Sequence, residues 1–170
     1  DARQAYSSVF LGNSSGFEAT NAFTSNFLGY FAGNEAANAN NSNFVGTSAG
    51  YGATYADQSN FLGQDAGRGA LTTPGLTSMF VSADAYGLIP VGGANLIGTR
   101  AGYEATGAGG VYFMGYEAGY HANDAIGSVF LGTRAGYDAV NVTAGLFAGL
   151  FSGYQATNAD TAVFLGTGSG

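Results

Sequence analysis

Nine glycines on a fixed step constrain this chain more than any other feature. They are Gly12, Gly29, Gly46 and Gly63, then Gly98, Gly115, Gly132, Gly149 and Gly166. Each step within the two groups is 17 residues, and the 35 from Gly63 to Gly98 make two repeats plus one residue. Around them runs the pattern S-x-F-L-G-x-x-A-G-Y-x-A-T-x-A-x-x, as in SNFLGYFAGNEAANANN from Ser25 and SVFLGTRAGYDAVNVTA from Ser128. A unit this short, with one strand signal, buries nothing alone. Stacked on its neighbours as one coil of a solenoid, it can bury an apolar face. The expected fold is therefore all-β, a parallel β-solenoid (β-roll) of about ten 17-residue coils, with residues 1–170 as a single repeat domain. At about 4.8 Å per coil, ten coils make a rod about 48 Å long, hydrogen-bonded from coil to coil with like side chains in columns. The segments Gly-x-x-Ala-Gly and Ala-Thr read as corners, where glycine accepts a positive φ and alanine avoids crowding.

Residues 71–93 depart from the array, holding Pro74 and Pro90 and placing Ser82 where the first glycine belongs. The departure reads as a 19-residue coil followed by a 16-residue one. Proline has no N–H for a ladder, so this stretch is expected to be irregular, with a projecting loop that makes contacts as the sharper expectation.

Two apolar columns run through the strand. One holds Phe10, Phe27, Phe44, Phe61, Phe80, Leu96, Phe113, Phe130, Phe147 and Phe164. The next holds Leu11, Leu28, Val45, Leu62, Val81, Ile97, Met114, Leu131, Ala148 and Leu165. Neighbouring residues of a strand point to opposite faces, so one column lines the coil and the other lies outside. An exposed phenylalanine column would forfeit about 1.5–3 kcal/mol per ring. The expectation is that Phe10, Phe27, Phe44, Phe61, Phe80, Phe113, Phe130, Phe147 and Phe164 form an inter-chain core, making the protein a homo-oligomer.

Composition removes most other classes. With 30 glycines, 14% aromatic residues and no Gly-X-Y triplet, the chain fits neither disorder, collagen nor a long coiled coil. Net charge is −7, and the four cations Arg3, Arg68, Arg100 and Arg134 are scattered, which argues against a nucleic-acid partner. No run of about 18 apolar residues exists, so insertion into a membrane is not expected. Absent cysteine excludes disulfides and thiolate metal sites. Gly170 stops at the ninth consensus position while residues 1–7 fit the eleventh to seventeenth, so the expectation is a segment or stacking subunit of a longer fibre.

The phrases SVFLGTRAGYDA, SNFLGQDAGRGA and FMGYEAGYHA resemble the NTFLGYxAGY-type repeats of tail-fibre-domain proteins. More distantly they resemble the S-V-A-I-G-x-x-A repeats in the heads of trimeric autotransporter adhesins. The adhesin resemblance implies a left-handed parallel β-roll of three intertwined chains outside the cell, hence a homotrimer. The chain departs from the adhesin heads in its period, 17 against about 14, and in placing Phe where they have Ala.

No catalytic constellation is visible. His121, the sole histidine, takes a position held elsewhere by Glu18, Glu104, Asp138 or Gln155, and reads as a solvent-facing substitution without partners. The acidic column lacks the dense Gly-Gly-x-Gly-x-Asp pattern of calcium solenoids and reads as a solvated face. The column Phe17, Tyr51, Tyr103, Tyr120, Tyr137 and Tyr154 could bind sugars, but stacking along the rod is the favoured reading. Sequons occur at Asn13, Asn40 and Asn141. The expected function is a structural subunit or shaft of an extracellular fibre, at a cell surface or in a virion tail fibre. It would not be an enzyme, would need no cofactor, and would have copies of itself as partners. The alternative is an adhesin or phage tail-fibre module that binds a surface glycan or receptor.

Overall fold

The computed structural model describes residues 2–71, 78–81, 87–89 and 93–170. Those residues are all β and turn, with no helix. Ten short strands, one per repeat, stack in a single parallel sheet: β1 (Val9–Leu11), β2 (Asn26–Leu28), β3 (Asn43–Val45), β4 (Asn60–Leu62), β5 (Met79–Val81), β7 (Asn95–Ile97), β9 (Tyr112–Met114), β10 (Val129–Leu131), β11 (Leu146–Ala148) and β12 (Val163–Leu165). The pair β6 (Gly87–Ile89) and β8 (Ala105–Thr106) forms a second small parallel sheet. The chain is thus a parallel β-solenoid, as the repeat requires.

Register follows the sequence pattern residue for residue. Phe10 pairs with Phe27, Phe27 with Phe44 and Phe44 with Phe61, each 17 on. The irregular coils have the lengths read from the sequence: Phe61 pairs with Phe80, 19 residues on, and Phe80 with Leu96, 16 on. Pro74, Ser82 and Pro90, and with them the projecting loop, lie outside the described residues.

Parallel pairing continues round the turns. Gly16 N–H donates to Ala32 O at 2.8 Å and Glu35 N–H to Phe17 O at 2.8 Å, so alternate residues bond to the coil on either side. This answers the main difficulty of a chain with so little strand, because turn backbone would otherwise be buried unpaired.

The interior corrects the expected inter-chain core. Phe27, Phe44, Phe61, Phe80, Phe113, Phe130 and Phe147 are fully buried inside one chain, and Phe10 and Phe164 in the end coils are half-buried against the same core. Seven of the nine rings are thus enclosed by their own chain. The aliphatic column is the outward one: Leu11 is 68% exposed, Leu62 38% and Met114 41%. The rings fit because everything opposite them is small. Three alanine columns, typified by Ala49, Ala53 and Ala56, are buried around Phe44. The second glycine of each repeat lies under the ring of its own coil, so that a Cβ on Gly16 would come within 2.8 Å of the Phe10 ring. Alanine and the second glycine therefore form the core wall as well as the corners.

Phenyl rings stack along the axis, with Phe27 and Phe44 centroids 4.7 Å apart and 3° from coplanar. A serine column completes the core. Ser25 Oγ donates to Ala39 O and accepts from Ser42 N–H at 3.2 Å, a dual role available to a hydroxyl in so small a side chain.

Candidate functional site

With the core filled by Phe, Ala, Ser and Gly, any function falls on the outward columns. Each is a set of residues 17 apart held about 4.8 Å from its neighbours. Unlike side chains meet only where the repeat varies.

The tyrosines stack as the sequence favoured. Tyr103, Tyr120, Tyr137 and Tyr154 have successive centroid distances of 5.1, 4.8 and 5.2 Å and lie within 10° of parallel. Burial first, then neighbouring negative charge, holds the phenols of Tyr120 and Tyr137 above their usual range. Stacking has a chemical consequence: ring faces that cover one another cannot receive the apolar face of a sugar. Between Tyr103 and Tyr154 only edges and hydroxyls remain, while Tyr154 ends the stack and Tyr51 lies outside it beside Arg68. An open depression of about 390 Å³ beside Tyr154, lined also by Phe151, Gly168 and Gly170, lies at the edge of the last coil.

Two charged clusters arise where successive repeats carry complementary groups. Glu117 is nearly buried and lies between arginines of the coils on either side, with Arg134 Nε donating at 2.7 Å and Arg100 Nη1 forming an ion pair at 3.5 Å. Burial alone would raise the Glu117 pKa. Hydrogen bonds from Arg134 and Tyr116 and the charges of both arginines outweigh burial, and the carboxyl is held below the ordinary glutamate range. A depressed carboxylate stabilises the fold fully above its unfolded value of about 4.3, and that stability is lost as pH falls through the lower folded value. Glu117→Gln is expected to lower stability at pH 7 by about 1–2 kcal/mol, at the low end for charged hydrogen bonds because both arginines reach water. The gap between wild type and variant should narrow as pH falls below about 4.3, measured as denaturation midpoints at pH 7 and in acid.

His121 is the second cluster, and it has partners after all. Its Nε2 lies 2.9 Å from Glu104 Oε2 and its Nδ1 3.3 Å from Asp138 Oδ1, one coil to each side. The signal was available in the sequence, since both carboxylates lie 17 residues from the histidine. Both ring nitrogens are used by this ladder. No group of three or more His, Cys, Asp or Glu side chains that could hold a metal occurs among the described residues.

Amide ladders fill other columns. Asn26 Nδ2 donates to Asn43 Oδ1 and Asn43 Nδ2 to Asn60 Oδ1, both at 2.8 Å. Of the sequons, Asn13 and Asn141 are exposed, whereas Asn40 is half-buried. Asn40 Nδ2 donates to Asp57 Oδ1 at 3.0 Å and its Oδ1 accepts from Phe23 N–H at 3.1 Å, so its amide is part of the rod. Asn141 Nδ2 donates to Asn158 Oδ1 at 3.1 Å.

Among the described residues no helix is long and apolar enough to cross a membrane. Comparison with protein-family models, curated proteins and solved structures finds no match.

Proposed function

We propose that this chain is a structural segment in the shaft of an extracellular fibre, on a cell surface or in a virion tail fibre. One observation carries the reading: ten strands stack in one parallel sheet in matched register, with Phe in nine coils and Leu96 in the tenth facing inward, so the molecule is a rod of like units. A shaft needs length and stiffness, and both follow from stacking coils whose backbone bonds lie along the axis. Chemistry on a substrate would need unlike groups converging at one place, and the two charged clusters consist of side chains that satisfy one another.

Association with further copies of the chain belongs to this reading. Because the phenyl rings are used inside each coil, such contacts would fall on the outward columns. The alternative of a glycan-binding adhesin or tail-fibre module has less support, since the tyrosine faces it would use are stacked on each other. Neither a nucleic acid nor a bilayer is a partner here, and no cofactor is required.

Immunogold electron microscopy of intact producing cells or virions, with antibody raised against the recombinant chain, tests the proposal. Gold along external filaments is the expected result. Label confined to the cell interior would overturn it.

A further inference from the structure

We propose that the outward face of the ten-stranded sheet is a self-association surface, on which a second copy of the chain packs face to face. This rests on the shaft reading, in that lateral pairing is one way a slender rod gains stiffness.

The face consists of the first and third residues of each strand. Among the described residues 16 large hydrophobic side chains are exposed, and eight of them lie here: Val9, Leu11, Val45, Leu62, Tyr112, Met114, Val163 and Leu165. The other eight are spread over several further columns. No Asp, Glu, Arg or His occupies either position in any of the ten strands, although the chain carries a net charge of −7. Two acidic rods repel wherever their charges meet, so a charge-free strip is where copies can approach closely. In the polar part of the strip Asn26 Nδ2 donates to Asn43 Oδ1 and Asn43 Nδ2 to Asn60 Oδ1, so a covering sheet has to meet the Asn26 carbonyl, the Asn60 amide N–H groups and the Asn95 amide.

Area and period both favour a second copy as the occupant. Ten strands at about 4.8 Å and three residues at about 3.3 Å give a strip of about 48 by 10 Å. Counting the row that follows the first glycine, which adds exposed Tyr30, Tyr116 and Leu150, the strip widens to about 17 Å. Its area is then about 800 Å², the share of each partner in an interface of standard size. The strip mixes exposed Val, Leu, Met and Tyr side chains with uncharged Asn, Thr and Gln, the makeup of an interface between copies. Side-chain rows every 4.8 Å are matched along their whole length only by another array of that spacing, and sheets packed face to face lie about 10 Å apart. One flat face per chain closes as a two-fold pair, whereas a three-fold ring requires two different faces.

The test is the solution mass of the chain by sedimentation and light scattering. Two copies of 17.1 kDa give 34.2 kDa. Leu62→Lys with Met114→Lys should weaken pairing by about 100-fold or more, since each lysine would be desolvated against its own copy. Phe17→Lys with Ile126→Lys adds the same charge on other columns and should leave the pair intact. Circular dichroism of all variants checks that the solenoid is folded. A second measurement is insensitive to end-to-end stacking: because the chain has no cysteine, Ile97→Cys near the middle of the face should cross-link to itself through a short bis-maleimide, and Ile126→Cys should not. A monomeric wild type, a three-copy mass, a lysine face variant that still pairs, or equal cross-linking at both cysteines would each overturn the proposal. External filaments labelled by gold would leave the shaft reading standing in that event, so the two failures are distinguishable.

Discussion

Phe44→Ala is expected to cost about 3–5 kcal/mol, the range for emptying a fully buried aromatic site. The ring is fully buried and sandwiched between Phe27 and Phe61, each at 4.7 Å. Removing it also forfeits two stacking contacts, of about 0.5–1.5 kcal/mol each. The walls cannot collapse into the space, because they are alanine and backbone held by ladders on both sides. Phe44→Leu should cost far less, about 1–1.5 kcal/mol, because leucine fills most of the volume and Leu96 already sits fully buried in the same column. Leu62→Ala, on the outward column, should cost under about 1 kcal/mol when measured dilute enough to separate copies, because in the single chain that side chain keeps substantial contact with water. Chemical denaturation of the three variants checks the order. A loss at Leu62 equal to that at Phe44 would mean the inside and outside columns have been assigned the wrong way round.

Gly132→Ala should be comparably damaging by a different route. A Cβ there would lie 2.6 Å from Gly149 O, a backbone atom that cannot swing aside, and Gly132 has φ +126°. Overpacking of about 1–3 kcal/mol and backbone strain of similar size together give about 2–6 kcal/mol. Gly127→Ala is the matched control, with φ +63° and nothing within 4 Å of the added Cβ. It should cost only the left-handed conformation, about 1–2 kcal/mol. Each coil contacts only its neighbours, so damage at Gly132 should split the array instead of melting it uniformly. Hydrogen exchange should then show lost protection in β10 and β11 while β2 and β3 remain protected. Uniform loss would argue that the coils are not energetically separable.

Much of the fold was legible because a repeat makes one inference hold many times. The 17-residue step determined the strand per coil, the pairing Phe10 with Phe27, and even the 19- and 16-residue coils around β5. The tyrosine stack followed from the same step. The His121 ladder was legible too, since Glu104 and Asp138 lie one period away, but a histidine read against its sequence neighbours looks solitary.

What the sequence determined by itself was the coil: its period, its register, and that two apolar columns lie on opposite faces. Alternation says that Phe44 and Val45 point apart; it does not say which points inward. Only the tertiary structure decided that, through volume. Second glycines and three alanine columns curl to the phenylalanine side and leave a slot that a ring fills and an aliphatic column would not. The same choice put Leu62 and Met114 on the surface and moved the candidate contact between copies from the phenylalanines to them. Glycine's position could have hinted at this, since the residue six after every column Phe except Phe80 is glycine for a reason. Recognising the reason requires the turn that folds it back under the ring, and that turn is a property of the closed coil.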